Sequence, residues 1–524
     1  MHCTSVRHTE FPHTSQLFAD AMYHAGRTGA FYRHPLRDLE AFRAAAGEIV
    51  FSGAGRAALI AALRQRNPDG PSLQRLAQPG TVVVATGQQV GLFSGPAYTI
   101  YKALHAARLA EWLTSNGIPA VPVFWLATED HDFAEVDHVW VFDAEHQPRR
   151  LEMRRAAGAQ PAGEVTLAAP PVGELREILG GLPFGEETAA MVEETYRPGA
   201  TMGQAFGDLL RRLLPDYDIP QVDPMLAAFR ELAAPAIRAA VESAEALTAG
   251  VLERNRHLAA AGYHAQVHVE AATSLVFLME HGKRLTLRRN GREYLLNGRR
   301  IGAEELAANA RQLSPNALLR PVVQDSVLPT VAIVGGPGEV AYFAQSEVIY
   351  RSILGRMPVV VPRAGFTVLD ARSHKRMERY GLALPDFFAG EEAVRQRIAS
   401  TLVPPELHGA MRQAASTVDG AVDELRAALT GFDPTLAKAL DLSGRKIRHQ
   451  LSRIEGKAGR EALRRNERAA RDARSLSGLI YPERHPQERI YSFLPLLAKH
   501  GPGLTGQVYE AIEPGGGDHG VLVV

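Results

Sequence analysis

Residues 81–113 of this chain read TVVVATGQQVGLFSGPAYTIYKALHAARLAEWL, an order of residues that few folds accept. The β-branched run Val82, Val83 and Val84 predicts a buried strand, and it enters a loop rich in Gly and Gln. Pro96 then opens a helix that buries Ile100, Leu104, Ala107 and Leu109 on one face. A second apolar run at 121–127 lies within reach of a parallel crossover and ends in Glu129, Asp130, His131 and Asp132. The pattern predicts a parallel α/β sheet whose loops, at the carboxyl ends of the strands, form a nucleotide-type site.

Three loops carry residue types suited to chemistry. In the first, Gly95 and the helix start beyond Pro96 offer a tight turn and free N–H groups to an anion. Lys102 follows one to two turns in, and Gln88, Gln89, Tyr98 and Tyr101 are candidates for touching substrate. The plainer alternative is a βα turn with a surface Lys and packing tyrosines. In the second loop, Glu129, Asp130, His131 and Asp132 crowd carboxylates beside an imidazole, which suits acid or base catalysis near neutral pH. Three roles compete there: binding an amino group, deprotonating an acceptor amine, or holding Mg²⁺ with ATP. The bland reading makes Asp130 or Asp132 a helix cap. HxD alone lacks the spacing of a zinc site, so no metal site built only from protein groups is expected. In the third loop, GGPGE, the backbone at Gly335, Gly336 and Gly338 permits a flat ligand to approach, and Glu339 can accept from hydroxyls. A glycine-dependent strand-to-helix turn is the alternative. Arg320, Gln324 and Asp325 lie shortly before it, and Arg363 and Arg489 are further cations for a nucleotide phosphate.

Composition limits the partners. With 58 basic against 58 acidic residues, the chain as a whole has no field that recruits nucleic acid or an anionic membrane. Cys3 is the single cysteine, so no internal disulfide forms, which fits a reducing compartment. No apolar run approaches the roughly 20 residues of a membrane span, and a cytoplasmic location is expected.

A length of 524 residues calls for several units. We expect N-terminal helices, lying as a flap, and the first half of the core over 1–145. A mixed helical and β-hairpin insertion follows over 146–310, beginning with a polar segment at 147–172. The hairpins are read from short apolar runs separated by HG, NG and NG. The sheet resumes over 311–404, with strands at 331–334 and 359–361. Residues 405–480 form a coiled coil in which Ile447, Leu451, Ile454 and Ala458 repeat as a heptad seam, on a helix studded with arginine. Residues 481–524 pack back on the core. The seam predicts a homodimer, and the lack of interleaved aromatics makes RNA the weaker partner for this helix.

The words TGQQ, GPAYTIYK, EDHD and GGPGE at these separations resemble the BshC family of bacillithiol-synthesis, cysteine-adding enzymes. The resemblance runs from about Thr81 through the basic helix. It implies a Rossmann-like core related to class I aminoacyl-tRNA synthetases, an appended coiled coil, and joining of cysteine to glucosaminyl malate; for that joining, ATP with Mg²⁺ is our expected activator of the cysteine carboxyl. On that basis Arg320 is the candidate for the malate carboxylates, and His131 or Asp132 assists the amine. The synthetase signatures themselves are absent: Ser94, Gly95, Pro96 and Ala97 stand where paired histidines would, and Pro362–Thr367 carries no signature lysine. Lys102, Arg363 or Lys375 must then supply positive charge for adenylation. The rival readings are another nucleotidyltransferase that makes aminoacyl conjugates, and a tRNA-binding scaffold without catalysis.

Overall fold

The computed structural model describes residues 2–35, 38–153 and 159–524, without the side chains of His2 and Pro434. Part of the expected polar break, 154–158, lies outside the described residues. In chain order the strands are β1 (His2–Val6), β2 (Val82–Gln89), β3 (Ala120–Ala127), β4 (His138–Phe142), β5 (Pro148–Glu152) and β6 (Gln221–Val222). They continue with β7 (Thr273–Glu280), β8 (Lys283–Asn290), β9 (Glu293–Leu296), β10 (Arg299–Gly302) and β11 (Leu313–Pro315). The last four are β12 (Thr330–Gly335), β13 (Val359–Pro362), β14 (Phe366–Leu369) and β15 (His519–Val523). Four helices are labelled: α1 (Tyr98–Ser115), α2 (Pro337–Ile353), α3 (Pro405–Phe432) and α4 (Pro434–Arg464).

The central sheet is parallel throughout, in the order β13-β12-β2-β3-β6. Both faces are covered, which is why its strands read as unbroken apolar runs. Val83, Ala85, Val121 and Val123 enter one core cluster, whereas Val82, Val84 and Ala120 enter the other, as the period of two demands. The amino-terminal helices are layers of this core rather than a flap. Leu17 and Phe18 of Gln16–Tyr23 and Leu59 and Leu63 of Gly53–Leu63 pack on one face, and Phe42 of Leu39–Gly47 packs with Leu109 and Leu113 on the other.

Between β6 and β12 the chain forms a separate antiparallel sheet, β10-β9-β8-β7-β11, whose hairpins fall at the HG, NG and NG turns. Two features had no local signal. β1 pairs antiparallel with β15, joining the two ends of the chain, and β15 pairs parallel with β14.

The chain divides into two compact units. Residues 1–144, 148–369 and 487–524 form the first, which holds every strand of the central sheet and of the antiparallel insertion. The second comprises 145–147 and 370–486. Within it, α3 and α4 run antiparallel across the single residue Asp433. Asp419 pairs with Arg448 and Asp441 with Arg426, both at 2.8 Å, so residue numbers rise on one helix as they fall on the other. Val422 seals the seam opposite Gly444, where a Cβ would meet the Val422 side chain at 3.2 Å. Ile447 and Ile454 remain 44% and 55% exposed, so this intramolecular hairpin leaves much of the expected seam uncovered.

Candidate active site

In sheet order the chain passes outward from β2 in one direction and from β12 in the other. The crevice between their carboxyl ends is therefore the switch point at which open α/β sheets bind ligands. A cavity of about 730 Å³ opens there, wholly within the first unit. All three loops singled out by sequence reach it.

The loop after β3 is held rigidly. The N–H groups of Ala162 and Gly163 donate to the carbonyls of Asp130 and Thr128 at 2.6 and 2.9 Å, and the Thr128 hydroxyl donates to Asp223 at 2.6 Å. A side chain at Gly163 would collide with Thr128, so glycine allows this close approach. Asp130 accepts from Gln89 Nε2 at 2.8 Å, from Arg284 Nη1 at 3.1 Å and from the N–H of His131 at 2.8 Å. Burial, the largest influence, works to raise its pKa, and these donors more than offset it, leaving the carboxyl below its ordinary range. Glu129 is 5% exposed, and burial raises its pKa against the opposing pull of Arg284, Arg230 and Arg320. Asp132 stands exposed at the rim, where it starts a short turn without capping it through its side chain. His131 has its pKa lowered, first by burial and then by Arg284, with Asp130 and Asp132 opposing.

Lys102 is buried at 1% exposure. Its Nζ donates to the Gly87 carbonyl at 2.5 Å, to Gln88 Oε1 at 3.2 Å and to Glu339 Oε2 at 2.7 Å. Burial lowers its pKa and Glu339 pulls the other way. Glu339 also accepts from the N–H of Gly336 at 2.7 Å, closing the first turn of α2 on itself. Lys102 and Glu339 are thus committed to each other, and neither is a plain surface group. Arg363 borders the cavity but is held bidentately by Glu488 at 2.6 and 2.9 Å, with its guanidinium 4.9 Å from the Tyr98 ring centre.

Arg320 is different. Its Nη1 donates to Gln324 Oε1 at 3.1 Å and its Nη2 to the Tyr342 hydroxyl at 2.9 Å, and no carboxylate lies within ion-pair distance among the described residues. Both partners are neutral, since burial pushes the Tyr342 phenol up to about 12. Arg320 therefore borders the cavity as a cation with no ion-pair partner among the described residues, while Glu339 acts on it from further off. Exposed Arg489 adds a second one. The buried indole Nε1 of Trp125, which also borders the cavity, has no hydrogen-bond partner among the described residues.

Several expected site residues lie elsewhere. Tyr101 is fully buried, with the rings of Phe366 and Phe493 packed edge-on against it. Gly95 makes its turn at φ +64°, yet the helix start beyond it is covered: Ala97 donates its N–H to the Tyr491 carbonyl, and Pro96 bridges to Ser492. The Ala97 N–H is thus not offered to an anion. Gln324 and Asp325 are completely buried, Gln324 serving Arg320 and Asp325 bonding the Tyr350 hydroxyl. The Gly335 carbonyl receives the N–H of Arg363 inside the sheet edge. Lys375 belongs to the second unit. In the other direction, Arg284, Trp125, Gln266 and Tyr342 border the cavity and were not singled out by sequence.

Comparison with known proteins matches residues 1–364 to the family model "Bacillithiol biosynthesis BshC, N-terminal Rossmann-like domain" and residues 366–524 to "Bacillithiol biosynthesis BshC, C-terminal coiled-coil domain". A protein of Solibacter usitatus named "Putative cysteine ligase BshC" is 64% identical over the full length of both chains. Proteins of the same name from Koribacter versatilis and Symbiobacterium thermophilum are 35% and 32% identical, over 96% and 93% of each chain. The chain belongs to the BshC family.

Proposed function

We propose that this chain is a cytoplasmic ligase that joins the carboxyl of L-cysteine to the amine of glucosaminyl malate, giving bacillithiol. The observation that carries the reading is Arg320, a half-buried cation that has no ion-pair partner among the described residues and borders the same cavity as a carboxylate cluster. A guanidinium fork suits the paired oxygens of a malate carboxylate, and the acidic loop after β3 suits an amine. The names of the relatives support cysteine as the other substrate. The new C–N bond forms as the bond from the cysteine carboxyl carbon to its activating group breaks. One proton must leave the attacking amine, and Asp132, at the rim without an ion-pair partner among the described residues, accepts it. Holding both reactants in one cavity supplies much of the rate.

ATP would supply the activating group. The Gly336–Gly338 turn fits a nucleotide, because its backbone borders the cavity and a Cβ at Gly338 would meet nothing nearer than Gln266 Nε2 at 3.9 Å. Gly336, Gly338 and Arg489 would hold the nucleotide, with Mg²⁺ carried in by its phosphates. Arg363 and Lys102 contribute as fixed neighbours, being occupied by Glu488 and Glu339.

We also propose a homodimer through the helical hairpin, supported by the exposed Ile447 and Ile454 that continue the heptad. No described helix is long and apolar enough to cross a membrane. Incubating the purified protein with L-cysteine, glucosaminyl malate and ATP tests the reading. Bacillithiol should appear by mass, and its absence while the same protein forms another aminoacyl conjugate would favour the rival.

A further inference from the structure

Arg284 lies on β8 of the inserted sheet and is only 7% exposed, yet it reaches across to the loop after β3. Every nitrogen of its guanidinium is spoken for. Nε donates to the Ser314 hydroxyl at 3.0 Å, Nη2 to the Pro315 carbonyl at 2.8 Å, and Nη1 to Asp130 Oδ1 at 3.1 Å and His131 Nδ1 at 3.3 Å. The guanidinium carbon sits 4.0 Å from the centre of the Phe277 ring, which also packs against the His131 imidazole. Ser314 and Pro315 anchor it from β11, so the side chain is fixed from two strands and one aromatic face.

A guanidinium has donors and no acceptor. In its contact with Arg284 the imidazole must therefore accept, which leaves Nδ1 without a proton and puts the single ring proton on Nε2. A doubly protonated ring would set two donors against each other. The charged groups that face the ring are Arg284 from β8 and Asp130 and Asp132 from its own loop. Of the carboxylates, Asp130 is already engaged by Arg284 and Gln89.

We propose that Arg284 is a positioning residue that locks His131 as a neutral imidazole carrying its proton on Nε2, so that His131 donates a hydrogen bond to substrate and does not accept the amine proton. The assignment rests on the cavity being the reaction site, as proposed above. It removes His131 from the two candidates for the base and leaves the carboxylate. The oxygen served by Nε2–H would be the cysteine carbonyl oxygen, where negative charge grows as the amine attacks.

The test uses the full-length protein labelled with ¹⁵N-histidine, with the His131 signals identified by their loss in His131→Gln. Long-range ¹H–¹⁵N correlation reads which ring nitrogen bears the proton. Wild type should show protonated Nε2 and unprotonated Nδ1 through neutral pH. Arg284→Met should raise the pH at which His131 becomes charged and mix the tautomers, while Arg284→Lys, which keeps a cation, should raise it less. In turnover, Arg284→Met should lower kcat by ~10²-fold, as loss of one preorganised donor does, with KM for cysteine little changed. A His131 tautomer and titration unaltered in both Arg284 variants would overturn the proposal, as would a wild-type ring protonated at Nδ1. The resonance readout needs no turnover, so failure of the ligase reading would appear separately as absent product with the tautomer lock intact.

Discussion

Lys102 Nζ and Glu339 Oε2 lie 2.7 Å apart and tie the helix that follows β2 to the first turn of α2, which follows β12, across the switch point of the sheet. The pair sits under the cavity and fixes the two loops relative to each other. Lys102→Met removes a donor from the Gly87 carbonyl and from the Glu339 carboxylate, which keeps the Gly336 N–H and is 26% exposed, so solvent makes up part of the loss. The expected cost is about 1–3 kcal/mol in denaturant unfolding. Unchanged stability with weakened nucleotide binding would instead show that Lys102 serves ligand directly.

Glu129 gives a pH signature. Its folded-state pKa is raised above the ordinary 4.5, so the folded protein holds this proton more tightly than the unfolded chain. The contribution of Glu129 to stability is therefore most favourable below 4.5 and is lost as pH climbs from there through the folded value. Glu129→Gln has no such loss. Its stability relative to wild type should improve as pH rises above 4.5 through the folded-state value and then level off in thermal unfolding. A difference that stays constant over that range would place the carboxyl in a wetter setting.

Much of this site was legible because its parts follow strands. The apolar runs at 82–84, 121–127, 331–334 and 359–361 all became strands of the parallel sheet, and the polar words after three of them face one cavity. What could not be read is what depends on distant packing. Arg284 belongs to the alternating strand KRLTLRRN, in which Arg288 is exposed and Arg284 buried, and nothing local separates the two. Tyr98 and Tyr101 look equivalent in YTIYK, yet only the first borders the cavity, since Phe366 and Phe493 claim the second. The pairing of β1 with β15 joins residues more than 500 positions apart, beyond any periodicity.

The helical hairpin yields a prediction about assembly. Ile447 and Ile454 are exposed, so a change there costs the monomer little, in contrast to the several kcal/mol of a packed core position. Ile447→Glu with Ile454→Glu should move the protein towards monomer in sedimentation while leaving thermal unfolding of the first unit unchanged. A wild-type protein that sediments as a monomer at every concentration would assign the exposed face another role.

Calorimetric titration of glucosaminyl malate into wild-type protein and Arg320→Met tests whether the switch-point cavity recognises an acid-bearing substrate through Arg320. Loss of a charge-assisted contact of about 1.5–3 kcal/mol predicts a Kd raised ~10–100-fold in the variant, with cysteine binding unaltered. Equal affinity of both proteins for glucosaminyl malate would show that Arg320 does not hold the malate carboxylates.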